Sequence, residues 1–536
     1  MQEGGVQDVQ IVFLLLLVFI VVFGALARKL KTPYPMVLVV AGLAVSFIPG
    51  MPRVSLDPDL VFFVLLPPLL YASAWTTSWR DFSYNLVSIA SLAFGLVAFT
   101  VAGVALTARA AFSGFDWRLG FVLGAVVAPT DAIAATSIFR RLGLPRRIVD
   151  VVEGESLVND ATGLLALEFG VAMVVYHQTP DVISGAVRLI WLVAGGIGIG
   201  LVLGRLVEWF ELRIDDGPIE ITVSILVPYA AYMAAQSVKA SGVLAVVSSG
   251  LYLGRQSTRF FSPSVRIQVY AVWSSLTFIL NGVVFVLIGL QLPNVVAGIR
   301  GQFGLRALLW YGALFSAVVI LLRLLWVFPG ARLSYFIRRH FLGQHENVPP
   351  ARQLFVVGWA GMRGVIALAA ALALPRMLAD GSPFPRRQLI VFLTFSVILV
   401  TLVVQGLSLP ALIRALGLAG SEEGRCELFE AQRIVLLAAL RHIEEARGKD
   451  DPRWAGLYDD LLQHYRERLD ALTELRDGAA PEAKRKYFDL LPEVLRVERE
   501  TAIRLRNEGR ISDDVLRQIE HDLDLREARM MGGVLE

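Results

Sequence analysis

Runs of mostly apolar residues, each long enough to cross a bilayer, follow one another through the first 416 positions, broken by short charged loops. About 20 such residues span the hydrocarbon core as a helix. Inside lipid every backbone polar group has to be paired within the protein, so continuous apolar runs of this length fold as helices. A mean hydropathy of +0.61 rules out an ordinary soluble globule. The pattern predicts an all-α polytopic membrane protein with about thirteen spans, at roughly 9–27, 33–49, 59–75, 85–112, 118–141, 149–176, 184–210, 219–237, 240–256, 266–292, 305–330, 352–378 and 387–415.

Charge divides the chain. Residues 417–536 hold 20 basic and 27 acidic groups, whereas residues 1–416 hold 30 and 20. We therefore expect a transmembrane domain over 1–416 and a charged helical tail over 417–536. Glu427–Arg447 repeats apolar residues at helical spacing (Leu428, Ala431, Ile434, Val435, Ala438), and further helical stretches follow at about 454–476 and 481–506. The net charge of +3 carries no nucleic-acid signal, and the single Cys426 excludes an intramolecular disulfide and a cysteine-based metal site.

Loop charge sets the expected orientation. Arg28, Lys29 and Lys31 follow the first apolar run rather than precede it, the reverse of a cleaved signal. That run reads as a retained helix with its front end outside. Arg140, Arg141, Arg146 and Arg147 follow span 5, Arg255 and Arg259 follow span 9, and Arg332, Arg338 and Arg339 follow span 11. The intervening loops carry fewer basic residues, Arg386 and Arg387 excepted. The positive-inside rule then places the N-terminus outside and the tail in the cytoplasm of a plasma-membrane protein.

Two spans look interrupted. Span 5 contains Ala128-Pro129-Thr130-Asp131, and span 12 contains Gly358-Trp-Ala-Gly361-Met-Arg363-Gly364. They lie seven spans apart and so run in opposite directions. Broken helices at matching places in two inverted halves mark an inverted-repeat transporter.

Span 6 carries Glu153, Glu155 and Asp160 within an apolar run. An intramembrane Asp costs about 2.5–3.5 kcal/mol on insertion scales, and function is its default reading. Positions 153, 156 and 160 share one helical stripe. Thr130, Asp131, Ser156 and Asn159 supply oxygen atoms around Asp160, a set suited to hard cations. A carboxylate in an apolar site favours its protonated form, and a bound cation can replace that proton. Competition between proton and cation for one carboxylate is the minimal machinery of an exchanger. Asp131 is also placed to neutralise unwound helix ends. Arg363 stays charged at any relevant pH and needs a partner; Glu155, off the Asp160 stripe, is the candidate. Glu168, Lys239 and Arg323 are read as snorkelling or lying near span ends, and Asn281 as an interhelical hydrogen bond.

At these residues the sequence resembles the cation:proton antiporter superfamily, and more narrowly the bacterial sodium/proton exchangers of the monovalent cation:proton antiporter-1 group. The resemblance covers about residues 9–415. It rests on Leu65-Leu-Pro-Pro-Leu-Leu70, Ala128-Pro-Thr-Asp-Ala132, Glu153-Gly-Glu-Ser-Leu-Val-Asn-Asp160, Gly358-Trp-Ala-Gly-Met-Arg-Gly-Val-Ile-Ala367 and the stretch from Leu280 to Pro293, taken in order. It implies a 13-helix fold with a dimerisation domain and a mobile six-helix core in which spans 5 and 12 cross. It implies a homodimer working by an elevator-like movement. It implies that Asp160, in the Asn159–Asp160 pair, carries the ion or proton, that Ser156, Thr130 and Asp131 lie beside it, and that Glu155 and Arg363 form a structural ion pair. Some members have a carboxylate just after the Leu-Pro-Pro motif, where this chain reads Leu69-Leu-Tyr-Ala-Ser-Ala-Trp75; cation selectivity therefore does not carry over from the resemblance.

The expected activity is electroneutral exchange of Na+ (or Li+) for H+, serving pH and sodium homeostasis. It requires membrane lipid as surroundings and no cofactor or resident metal beyond the transported ions. Residue types leave a potassium/proton antiporter open. A non-transporting sensor signalling through the tail is the reading from another class, and it has no need of a titrating carboxylate at a helix crossing.

Overall fold

The computed structural model describes residues 3–30, 32–47, 58–112, 115–176, 182–299, 303–344, 348–378, 381–420, 423–477 and 482–535. The chain separates into two compact units, Met1–Ser421 and Glu422–Glu536. Among its described residues the first forms helices joined by loops, with one isolated bridge between Met377 and Pro383. Besides the short helices Trp79–Tyr84 and Leu292–Ile299, its helices are α1 (Glu3–Lys29), α2 (Tyr34–Val45), α3 (Leu60–Thr76), α4 (Leu86–Ala111), α5 (Trp117–Val127), α6 (Ala132–Leu142), α7 (Arg146–Val175) and α8 (Val182–Glu211). They continue with α9 (Gly217–Ser237), α10 (Gly242–Phe260), α11 (Pro263–Leu290), α12 (Leu305–Phe341), α13 (Ala351–Trp359), α14 (Val365–Leu372) and α15 (Arg387–Ala415).

Among the described residues, eight helices are long and apolar enough to cross a membrane, counting α5 and α6 as one. The other expected spans coincide with α1, the shorter α2 and α3, α10, and the split pair α13 and α14.

Local chemistry sets the helix ends. Asp116, Asp216, Ser241 and Ser262 each accept a backbone N–H at the start of α5, α9, α10 and α11. Gly143, at φ 63°, closes α6 in the left-handed conformation that a side chain disfavours. One helix runs further than the hydropathy suggests. The span expected at about 305–330 continues through Pro329 to Phe341 as α12.

Two apolar clusters form the interior. One gathers residues such as Leu123, Val127, Phe315, Leu368 and Leu393 from α5, α12, α14 and α15. The other gathers Tyr71, Trp75, Ala245, Val269 and Trp273 from α3, α10 and α11. Helix α7 belongs to both, giving Val152 and Leu167 to the first and Leu157 and Ala161 to the second. It therefore sits at the seam between them. In the second group, α8 meets α10 through Gly196, Gly200 and Gly204, where any Cβ would strike α10. Small residues at four-residue spacing allow this backbone approach.

The second unit contains α16 (Glu423–Lys449), α17 (Ala455–Asp477), α18 (Glu482–Asn507) and α19 (Asp513–Leu535). Leu436, Leu440 and Leu462 are buried, and the ion pairs Arg447–Asp459 and Arg466–Glu444 link α16 to α17. Leu495, Ala502, Leu516 and Leu523 are buried in α18 and α19. The helix expected over Glu427–Arg447 lies within α16, where Ala431, Ile434, Val435 and Ala438 are exposed. Apolar residues surround α16 from Ile434 to Leu440, so spacing alone does not choose the buried face.

Candidate functional site: a carboxylate between two broken helices

Two helix breaks build the site. Helix α5 ends at Val127 and α6 starts at Ala132, separated by Ala128-Pro129-Thr130-Asp131. Pro129 has no N–H to continue the ladder. Helix α13 ends at Trp359 and α14 starts at Val365. The unwound stretches touch, because the Asp131 N–H donates to the Met362 carbonyl at 2.7 Å.

Each break leaves two helix ends, and each kind of end is met by opposite charge. Asp131 caps α6, its Oδ1 accepting from the Ile133 N–H at 2.8 Å. Its carboxylate also packs against Gly364, the residue that opens α14, where an added Cβ would collide with it. One carboxylate thus faces the N-terminal ends of two half-helices. Arg363 serves the C-terminal ends. Its Nε donates to the Val127 carbonyl at 3.1 Å and its Nη1 to the Gly361 carbonyl, while its own N–H donates to Thr401 Oγ1 at 3.1 Å.

This arrangement corrects the expected ion pair. Glu155 does not pair with Arg363; it pairs with Arg323, whose Nη1 and Nη2 donate to its two carboxylate oxygens, the latter at 2.8 Å. Both side chains are buried, at 0% and 1% exposure. Arg323 also donates to the Val357 carbonyl of α13. Arg363 keeps Glu155 and Arg323 within electrostatic reach, but carbonyl dipoles are its direct partners. Arg323 is therefore neither snorkelling nor near a helix end: it is the middle residue of the 37-residue α12. The signal available in the sequence was a lone arginine in a long apolar run, and a span expected to end at 330 placed it near that end.

The remaining polar side chains fall into two sets. Thr130, Asp131, Ser156 and Asp160 line one cavity of about 90 Å³, together with Glu153, Asn281 and residues of α3 and α14. That volume accommodates several water molecules. Asn159, Glu155 and Arg363 do not line it. Ser156 Oγ donates to the Thr130 carbonyl at 2.9 Å and accepts from the Ala132 N–H at 3.3 Å, bracing the break. Thr130 Oγ1 donates to Glu155 at 3.1 Å and accepts from Asn159 Nδ2 at 2.7 Å. The Asn159 Oδ1 atom is buried without a partner. Among the described residues the Asp160 carboxylate makes no hydrogen bond, although the residue is 4% exposed.

The stripe of Glu153, Ser156 and Asp160 forms one wall of the cavity, about 10 Å long at 1.5 Å per residue. Glu153 at its far end pairs at 2.7 Å with Arg140, which is exposed. Asn281 lines the cavity, a placement its sequence context did not reveal. Outside the site, Glu168 pairs with Arg188 at 3.1 Å, and the Lys239 carbonyl accepts from Arg188.

A multi-pass helical membrane protein with two broken helices meeting beside a buried carboxylate that makes no hydrogen bond among the described residues has the architecture of an ion-coupled transporter. Comparison with known proteins gives the family. Residues 14–415 match the family model described as sodium/hydrogen exchanger, transmembrane. An uncharacterized Na(+)/H(+) exchanger of Mycobacterium tuberculosis is 34% identical over 542 residues, covering 99% of this chain and 97% of that protein. A sodium, potassium, lithium and rubidium/H(+) antiporter of Bacillus pumilus is 31% identical over 449 residues, 82% of this chain and 65% of that one. The solved structure of the sodium proton antiporter MjNhaP1 from Methanocaldococcus jannaschii shares the fold, with a TM-score of 0.57 at 19% identity over 76% of this chain and 97% of that one. The chain belongs to the sodium/hydrogen exchanger family.

Proposed function

We propose that the protein exchanges one monovalent cation, Na+ or Li+, for one proton at Asp160. The observation that carries this reading is the Asp160 carboxylate, without a hydrogen bond among the described residues and lining a cavity beside two helix breaks. Cation and proton then take the same place in turn. Thr130 and Ser156 hold the break in shape through their own hydrogen bonds, and Asp131 and Arg363 neutralise the half-helix ends.

Charge supports a one-for-one exchange. The crossing gathers Arg323 and Arg363 against Glu155, Asp131 and Asp160, two positive charges against three negative. A proton or a monovalent cation on Asp160 brings this sum to zero. Both loaded states then cross the membrane equally neutral, and the empty state is the charged and costly one. Alternation without leak follows from that difference.

The finer architecture belongs to the same proposal. The helices α1 to α15 form thirteen spans in two inverted halves, with α5/α6 and α13/α14 as crossed broken helices. The site moves with a core of helices against a dimerisation domain in a homodimer. Glu153 and its partner Arg140 lie at the end of the cavity nearest the basic loop Arg140–Arg147, which the positive-inside rule assigns to the cytoplasm. The cavity thus leads from Asp160 towards the cytoplasm, where the second unit also resides, in the plasma membrane. The broad cation range in the name of the Bacillus pumilus relative favours keeping K+ among the ions to be tested.

The test is proton flux in liposomes holding an imposed pH gradient, with Na+, Li+, K+ or choline added separately. Na+ and Li+ should collapse the gradient, and Asp160→Asn should fold yet show no cation-dependent flux. Normal exchange by Asp160→Asn refutes the mechanism. Collapse by K+ as fast as by Na+ makes it a potassium-accepting exchanger. No flux with any cation from folded wild-type protein favours the sensor reading.

A further inference from the structure

Helix α7 has a second face. On the flank of α7 turned away from the ion cavity, Val158, Ala161 and Leu165 line a separate crevice of about 750 Å³, closed on its other side by Ile197 and Leu201 of α8 and Val247 of α10. One water needs roughly 10–15 Å³ of such space, so the crevice is large enough for an acyl chain. The hydroxyls at its middle are turned to backbone carbonyls: Thr162 Oγ1 donates to Ala93 at 2.7 Å and Ser248 Oγ to Leu244 at 2.7 Å; Tyr252 is held by the Glu208 carboxylate. Water finds few partners in such a space.

The crevice follows α10 from Gly242 to Arg255. That is about 20 Å at 1.5 Å per residue, more than half of a hydrocarbon core about 30 Å thick. Arg255 stands at one end with Trp79. It is exposed and has no ion pair or side-chain hydrogen bond among the described residues. An indole and a free guanidinium at the mouth of an apolar slot match the two parts of a membrane lipid, the interfacial region and a phosphate.

We propose that this crevice is a binding site for an anionic phospholipid, one acyl chain lying between α7 and the α8/α10 pair and the headgroup phosphate on Arg255. The chain then fills the space directly behind the helix that carries Asp160. A lipid there keeps α7 apart from α8, and its exchange with the bilayer sets how freely the two apolar clusters shift against each other.

The test uses the full chain in mild detergent, stripped of lipid and then given phosphatidylglycerol or phosphatidylcholine with matched acyl chains. Native mass spectrometry reads the lipid bound per protein. Phosphatidylglycerol should be retained with about a five-fold preference, the ratio one cation supplies at a lipid surface. Arg255→Gln, at an exposed helix position, should erase that preference without changing the melting temperature. Val247→Trp should fill the slot and lower retention of both lipids about ten-fold or more; Leu201→Trp repeats the test from the opposite wall. Unchanged retention in either folded tryptophan variant, or equal retention of the two lipids by wild type, overturns the proposal. So does a crevice sealed by a second copy of the chain, read as crosslinking between copies of Leu201→Cys in a Cys426→Ser background. Lipid retention needs no transport measurement, so its failure and the failure of the exchange mechanism are separate results.

Discussion

Replacing Arg323 with methionine removes the guanidinium that binds both oxygens of Glu155 and leaves that carboxylate facing Thr130 Oγ1 at 3.1 Å as its remaining hydrogen-bond donor. With the pair at 0% and 1% exposure, water does not replace the lost donors. Breaking one side of a buried ion pair costs about 3–5 kcal/mol. A loss of 1 kcal/mol lowers Tm by about 2–4 °C in proteins of 150–250 residues, and by less in longer ones. For a unit the size of Met1–Ser421 the expected fall is on the order of 5 °C, read by intrinsic fluorescence during a thermal ramp in detergent at a fixed scan rate. The double variant Glu155→Leu/Arg323→Met carries neither charge and should recover most of the loss, because apolar replacements of a buried pair are often neutral. The cycle through the two single variants isolates the coupling, about 0.5–3 kcal/mol for residues in direct contact. A parallel cycle with Glu155 and Arg363 should give a smaller value, since Arg363 bonds carbonyls instead. A coupling to Arg363 equal to or larger than that to Arg323 refutes the assignment.

Asp131→Ala should lose the α6 cap, at about 1 kcal/mol, and Asp131→Asn should restore that stability while leaving exchange in liposomes impaired, because the charge at the crossing stays missing. Normal exchange by Asp131→Asn would make Asp131 a cap only. Truncation after Gly420 removes the second unit and should leave a folded protein with measurable cation-dependent proton flux; complete loss of flux in a folded truncation would make the tail essential to transport.

Much of the site was legible in the chain because its signals are local. Pro129 and the Gly358–Gly364 glycines interrupt apolar runs, and an interruption in a membrane span is visible without knowing its neighbours. Helical periodicity alone groups Glu153, Ser156 and Asp160, and these residues share one cavity wall. Periodicity also separates Glu155 from that stripe, and the structure keeps Glu155 out of the cavity. The division between apolar body and charged tail follows from composition in the same way.

The partner of Glu155 was not legible, and the reason is physical. Two arginines stood in apolar segments, and both carry the same fixed charge. Arg363 looked closer to the chemistry because its segment was broken. The break itself offers carbonyl ends that satisfy a guanidinium, and that leaves Glu155 to Arg323, which is 168 residues away in the chain. Choosing between a carboxylate and a helix end depends on where each helix stops and what it crosses. Spacing along one segment carries none of that information. The chain by itself determined that it would lie in a membrane as helices, where two of them would break, and which carboxylate would lie beside the breaks. Only the tertiary structure decided which charges neutralise one another, because ion pairing inside lipid is settled by distances between helices that sequence order does not constrain.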